Sequence, residues 1–243
     1  MKTSLKLLII TVSLQFILSL IAVIVFSSEF KNKIVFESGK MISIKQPLKT
    51  FKAISISGSV TVHWKKSDSA FVDLSLDSIF KKDIVLTVQN ETLNIKAPNV
   101  FRKKKMVFVL YSPDIMEIQL NEGAVLLADD TLKGNLLKMK INNGADAKIK
   151  FNGQFADIFS DNGSSLILVG SALNASIKSM NGSNVKMDHF ELFNGNFVAE
   201  SGSSVDVLVK DSLTVHALSG SKVNIYGNPK VKKIKTDISS SVE

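Results

Sequence analysis

Asn143-Gly144-Ala145-Asp146-Ala147-Lys148-Ile149 sets a turn-forming pair and a small residue before an alternating, strand-like run. The opening phrase returns as Asn162-Gly163-Ser164 and Asn181-Gly182-Ser183. With the Asn exchanged it appears as Glu122-Gly123-Ala124, Ser201-Gly202-Ser203 and Ser219-Gly220-Ser221. Successive glycines stand 21, 19, 19, 20 and 18 residues apart. A period near 20 marks a solenoid, in which each repeat buries its apolar face only by stacking on its neighbours.

Outward from each glycine the side chains fall into columns. Three residues after it stand Leu126, Ala147, Leu166, Val185, Val205 and Val223. Five after it stand Ala128, Ile149, Leu168, Met187, Val207 and Ile225, with Lys148, Ile167, Lys186, Asp206 and Asn224 between the two columns. This period-two pattern predicts a half-buried strand. A second strand is expected before each glycine, from Met139, Ile158, Ile177, Phe197 and Val215 at five residues before it. At three before it stand Ile141, Ser160, Ser179, Ala199 and Ala217. Each coil then carries at least two short strands joined by tight turns, and equivalent strands run parallel about 4.8 Å apart. The expected fold class is all-β, a parallel β-helix or β-roll.

The glycine suits a corner that repeats on every coil, because it takes positive φ at little steric cost. Asn and Ser before it favour turns through side-chain hydrogen bonds. Stacking should line up Asn143, Asn162 and Asn181 as a ladder of amides, a structural role; a polar ligand strip is the competing reading.

The N-terminal half is less regular. Residues 71–76, 84–89, 92–96 and 106–111 alternate as strands do. Asn90-Glu91 marks a tight hairpin turn. Ser57-Gly58-Ser59 reads as an early copy of the phrase, one residue out of phase. Hairpins here are expected to widen or cap the first coils, whose end would otherwise expose unpaired backbone.

Residues 7–26 carry no charge and are long enough, as a helix, to span about 30 Å of bilayer core. The expected organisation is a tail over 1–6, a transmembrane helix or signal segment over 7–26, a linker over 27–40 and the β-helical domain over 41–243. The length favours an uncleaved anchor over a cleaved signal, for which Val25-Phe26-Ser27 is the modest cleavage candidate. Either reading sends the rest of the chain across a membrane.

The net charge of +8 is almost all lysine; Arg102 is the sole arginine. Scattered lysines without interleaved aromatics argue against nucleic acid as a partner. The basic runs at 101–105 and 230–235 read as solvated loops or edge protection. With no cysteine, disulfides, thiol catalysis, Cys-based metal sites and a lipid-bearing cysteine anchor are excluded.

The three histidines are His63, His189 and His216. His63 and His216 should face outward from strands; His189, beside Asp188, should sit at a turn. Asp129, Asp130, Asp146, Asp157, Asp161, Asp188, Glu200, Asp206 and Asp211 do not recur in register, so no paired-carboxylate arrangement emerges. Trp64, Tyr111 and Tyr226 are the aromatics considered for sugar stacking. No nucleotide-binding, hydrolase or zinc motif occurs. The sequence nominates no catalytic, cofactor-binding or metal-ligating residue, and no cofactor.

Three phrases carry a family resemblance: Phe51-Lys52-Ala53-Ile54-Ser55-Ile56-Ser57-Gly58-Ser59-Val60-Thr61-Val62, then Val88-Gln89-Asn90-Glu91-Thr92-Leu93-Asn94-Ile95, then Ser219-Gly220-Ser221-Lys222-Val223-Asn224-Ile225-Tyr226-Gly227-Asn228-Pro229. With the repeats, they make roughly residues 42–242 resemble the bacterial "putative auto-transporter adhesin, head GIN domain" family. The resemblance implies a right-handed parallel β-helix exported to the envelope, and carries no catalytic residues. Relatives often have a lipoprotein cysteine; here residues 7–26 stand in its place.

The expectation is a non-enzymatic, adhesin-like envelope protein, tied to the membrane through its N-terminal helix and binding a polymer, a glycan or a partner protein. A carbohydrate-active enzyme is the alternative, and a structural assembly part is a third reading. The final strand, near residues 237–242, is a candidate edge for homo-oligomer formation.

Overall fold

The structure is a computed structural model describing residues 12–13, 15–21, 39–99 and 106–243. Residues 39–98 and 106–243 form one compact unit. Its strands are β1 (Met41–Pro47), β2 (Ala53–Ser57), β3 (Val60–Lys66), β4 (Phe71–Asp77), β5 (Val85–Gln89), β6 (Thr92–Lys96), β7 (Met106–Ser112) and β8 (Glu117–Asn121). Then come β9 (Val125–Ile141), β10 (Asp146–Ser160), β11 (Ser165–Ser179), β12 (Asn184–Glu200), β13 (Ser204–Leu218), β14 (Lys222–Tyr226), β15 (Val231–Thr236) and β16 (Ser241–Val242). One 3₁₀ turn, Ser78–Phe80, interrupts them, capped by the Asp77 carboxylate accepting from the Ile79 N–H.

Strands β9 to β13 pair in parallel, each with the next, making a β-solenoid of about 7 turns with the N-terminal coils. The expected columns are present. Phe108, Val62, Leu126, Ala147, Leu166, Val185, Val205 and Val223 follow one another in register, and all are buried. Each Leu, Ile or Val so enclosed contributes about 1.5–3 kcal/mol, which makes the stacked interior the main source of stability.

The corner holds more than a glycine. Asn143, Asn162 and Asn181 have φ of 54, 52 and 50°, and the glycines that follow have 68, 69 and 72°. Two successive left-handed residues give the type I′ pattern, closed by the Ala145 N–H donating to the Asn142 carbonyl. Asn tolerates this region better than most residues, so the sequence choice is conformational as well as hydrogen-bonding. Each corner glycine also donates its N–H to the next coil: Gly144 to Asn162, Gly163 to Asn181, Gly182 to Ser201.

Two expectations are corrected here, and a third is explained. The two strands per coil are one long bent strand, with a single tight turn per coil. In β10 the buried residues are Ala147, Ile149 and Phe151, then Ala156, Ile158 and Ser160. The alternation changes phase between 151 and 156 while pairing to β9 and β11 continues, so no second turn is needed.

The one-residue phase slip expected at Ser57-Gly58-Ser59 is present. Ile56 shares a column with Leu120 and Ile141, and Val62 with Leu126. By that count Gly58 fills the place of Glu122, the residue before the usual glycine. That place also has positive φ, 91° at Gly58 and 56° at Glu122, which accounts for the phase slip.

The second correction places Asp188 and His189 not in a turn but within β12, where the register to β11 shifts between Ile167 and Gly170. A similar shift places Asp129 and Asp130 outside regular pairing, absorbing the two additional residues of the 21-residue interval.

The N-terminal half builds the first coils out of sequence order. β2 lies between β6 and β8, and β3 between β7 and β9. The β5–β6 hairpin turns at Asn90 and Glu91, both at positive φ, and β1–β4–β7 is antiparallel. These hairpins cap the N-terminal end as expected. At the other end β15 pairs with β13 and β16 with β14, and every residue of β15 is exposed. Lys232, Lys233 and Lys235 thus decorate an edge strand.

Residues 12–13 and 15–21 are helical. Among the described residues no helix is long and apolar enough to cross a membrane. The rest of the 7–26 segment, the 1–6 tail, linker residues 27–38 and the basic run at 101–105 lie outside the described residues.

Candidate functional site

The Asn/Ser corner strip is engaged with itself. Asn143 Nδ2 donates to Asn121 Oδ1 at 2.7 Å, and Asn162 Nδ2 to Asn143 Oδ1 at 3.1 Å. The ladder then changes partner: Asn181 Nδ2 donates to Asp161 Oδ1 at 2.7 Å rather than to Asn162. Amides satisfied within the chain fit the structural role. Inside the corner a column of serines is buried: Ser164, Ser183, Ser203 and Ser221. Ser164 Oγ donates to the Ile141 carbonyl at 3.0 Å, and Ser221 Oγ to that of Ala199 at 2.8 Å.

The histidines do not converge. His63 Nδ1 lies 3.2 Å from Asp129 Oδ1, with Lys65 Nζ 4.0 Å from the other oxygen. His216 is exposed on β13, outward as expected. His189 Nε2 is 3.8 Å from Asp188 Oδ2 and highly exposed. Among the described residues no group of three or more His, Asp or Glu side chains could hold a metal ion.

Of the aromatics, Trp64 is buried and donates Nε1–H to Ser112 Oγ at 2.8 Å, so it presents no face to a sugar. Tyr111 stacks on Phe71 at 4.4 Å between centroids. Tyr226 is exposed. The residue that sequence reasoning passed over is Phe159. It stands between inward Ile158 and Ser160, so alternation alone directs it outward.

Around Phe159 the parallel register assembles a face. Lys140, Phe159 and Lys178 are direct neighbours on β9, β10 and β11. Glu117, Lys138 and Asp157 form the adjoining row on β8, β9 and β10. Lys140 Nζ sits 5.8 Å from the Phe159 ring centroid. An open depression of ≈ 190 Å³ is lined by Glu117, Gln119, Lys138, Lys140, Asp157 and Phe159 with Ile118 and Met139. A second, of ≈ 380 Å³, adjoins it through Glu117 and Lys138, and adds Lys52, Met116 and Leu136. Glu117 was not among the acids considered from sequence, and its approach to Asp157 crosses three strands. The face offers an aromatic floor, cations and carboxylates without an enclosing wall, an arrangement that can hold an extended ligand.

Residues 50–229 match the sequence model of the family described as "Putative auto-transporter adhesin, head GIN domain". The chain belongs to this family. Its solenoid is similar to the crystal structure of a putative adhesin from Bacteroides fragilis, with a TM-score of 0.79 at 15% identity, over 86% of this chain and 98% of that one. It is also similar to a putative adhesin from Parabacteroides merdae, with a TM-score of 0.66 at 16% identity, over 87% and 98% of the two chains. A third similar structure is a putative lipid binding protein from Parabacteroides distasonis, with a TM-score of 0.67 at 12% identity, over 86% and 98%. Identities this low establish a shared fold with these structures and nothing finer. No curated protein sequence matches the chain.

Proposed function

We propose that this head GIN protein is a non-enzymatic, adhesin-like binding module of the cell envelope. Its strand faces bind a polymer, a glycan or a partner protein outside the cytoplasm. Residues 7–26 act as membrane anchor or signal segment, and residues 27–40 as linker to the domain. The observation that carries the reading is the open face around Phe159, where outward side chains repeat at one strand spacing, about 4.8 Å, along the stack. Contacts spread over many coils add up without any single essential residue.

The purified full chain, incubated with polysaccharides and envelope extracts, should retain a ligand without releasing reducing ends. Single substitutions on the face should weaken retention rather than abolish it. A lone Asp or His substitution that abolished function in a folded protein would count against the reading.

One observation favours the carbohydrate-active alternative. Glu117 and Asp157 flank Lys138 in one depression, and two carboxylates on one sugar site are the usual apparatus of glycoside cleavage. Release of reducing ends that disappeared in Glu117→Gln or Asp157→Asn would establish it. Edge-to-edge assembly through the final strand near residues 237–242 has less support, since its strand β16 is only Ser241–Val242, a short edge for another chain to pair with.

A further inference from the structure

The lysines of this chain look scattered in sequence, but the coil register collects part of them on one face. Lys138 and Lys140 project outward from β9 on either side of buried Met139. Lys178 continues the row of Lys140 two strands along, about 9.6 Å away. Among the described residues no carboxylate comes within ion-pair distance of Lys138 or Lys140, although Glu117 and Asp157 are on neighbouring strands. Lys178 has only a 4.0 Å approach to Glu200.

Between Lys140 and Lys178 lies Phe159, half-buried, with its ring forming part of the floor of the depression. A half-buried aromatic on an otherwise polar strand face loses stability by exposure, unless its ring meets an apolar surface in the bound state. A sugar ring provides such a surface on its C–H side. The adjoining Glu117 and Asp157 carboxylates accept hydrogen bonds from hydroxyl groups. They repel a dense array of phosphates.

We propose that the face around Phe159 binds a linear uronate-containing polysaccharide. A sugar ring stacks on Phe159, ligand carboxylates pair with Lys140 and Lys178, and ligand hydroxyls donate to Glu117 and Asp157. This rests on the binding-module reading above and gives that face its ligand class. A nucleic acid or an anionic membrane meets the lysines equally well. Single-stranded DNA supplies no hydroxyls along its length for the two acids, and both DNA and an anionic membrane bring phosphates against them. The charge complement is a line of separated carboxylates, which suits an extended acidic chain lying along the stack.

The test uses the purified full chain and four probes: polygalacturonate, its methyl ester, phosphatidylglycerol vesicles and single-stranded DNA. Polygalacturonate should bind, weaken with added salt, and exceed its uncharged methyl ester by at least about tenfold. The double variant Lys140→Gln/Lys178→Gln should lose about tenfold in affinity for it. Phe159→Leu keeps apolar volume but lacks the ring; it should weaken polygalacturonate and leave any vesicle binding unchanged. Lys186→Gln, in register with Ile167 and Asp206 on another face, is the control and should change nothing. Equal binding of the methyl ester, tighter binding of DNA or vesicles, or full affinity in the lysine double variant would overturn the proposal. Retention of a neutral glycan or an envelope protein instead would remove it and leave the binding-module reading standing. Retention of no ligand from any source would remove both.

Discussion

Gly163 and Gly58 both have positive φ, but for different local reasons. At Gly163, φ is 69° and an added Cβ would meet nothing within 4 Å, so only the backbone conformation resists a side chain. Gly163→Ala should cost about 1–2 kcal/mol in urea unfolding, the strain of one left-handed alanine. At Gly58 the added Cβ would lie 1.8 Å from the Ala97 carbonyl oxygen. Gly58→Ala must displace backbone, and its loss should exceed that of Gly163→Ala. Asp237 closes the last corner. It accepts from the Ser219 N–H at 2.7 Å and from Ser239 N–H and Oγ–H at 3.2 and 3.0 Å. The backbone bond from Ser219 is the largest cause, with the Ser240 hydroxyl next, holding its pKa at about 2 rather than the usual 3.8. A folded-state pKa that is depressed contributes stability above the unfolded value and loses it as pH falls through the folded one. The C-terminal corner should therefore loosen as pH drops from 3.8 through about 2, followed by the Ser219 amide shift, and Asp237→Asn should abolish that titration.

At the scale of elements, the long strands explain which serines matter. Ser160 and Ser179 occupy one inward column, yet their environments differ. Ser160 Oγ lies 2.8 Å from Ser164 Oγ. Ser179 Oγ is buried with no hydrogen-bond partner among the described residues. An unpaired buried hydroxyl keeps its desolvation penalty without compensation. Ser179→Ala should leave thermal stability unchanged or raise it, by up to about 1 kcal/mol. Ser164→Ala should lower it by a similar amount, since Ser164 Oγ also takes the Asp161 N–H and donates to Ile141. Alternation placed both serines inward without distinguishing them, because hydroxyl pairing depends on what the neighbouring coil sets opposite. The same limit applied to the strands: the columns on each side of the glycine were legible, whereas the bend after Phe151 keeps both ladders paired and leaves no turn residues to read.

For the whole molecule, parallel stacking makes stability a matter of neighbours. β10, β11 and β12 are paired along most of their length on both sides, whereas β15 and β16 each have one partner. Amide exchange at native pH should be slowest in the central coils and fastest in β15 and β16. Uniform protection across all coils would show a single cooperative block instead. The outward face around Phe159 belongs to this scale as well. Its lysines, acids and aromatic come from β8, β9, β10 and β11, and are adjacent only because the coils stack in register.

The amino-acid sequence by itself determined the repeat, the inward columns, the glycine corner, the hairpin at Asn90-Glu91 and the family. Each is encoded locally, by φ preference or by period-two alternation within a few residues. Tertiary structure decided the rest. It threaded β2 and β3 between segments that follow them in the chain, moved the Asn181 bond to Asp161, buried Trp64, and set Glu117 beside Lys138 and Asp157. Those outcomes depend on which coil lies against which and on where additional residues bulge from the ladder, distances of about 4.8 Å in space but some 20 residues along the chain.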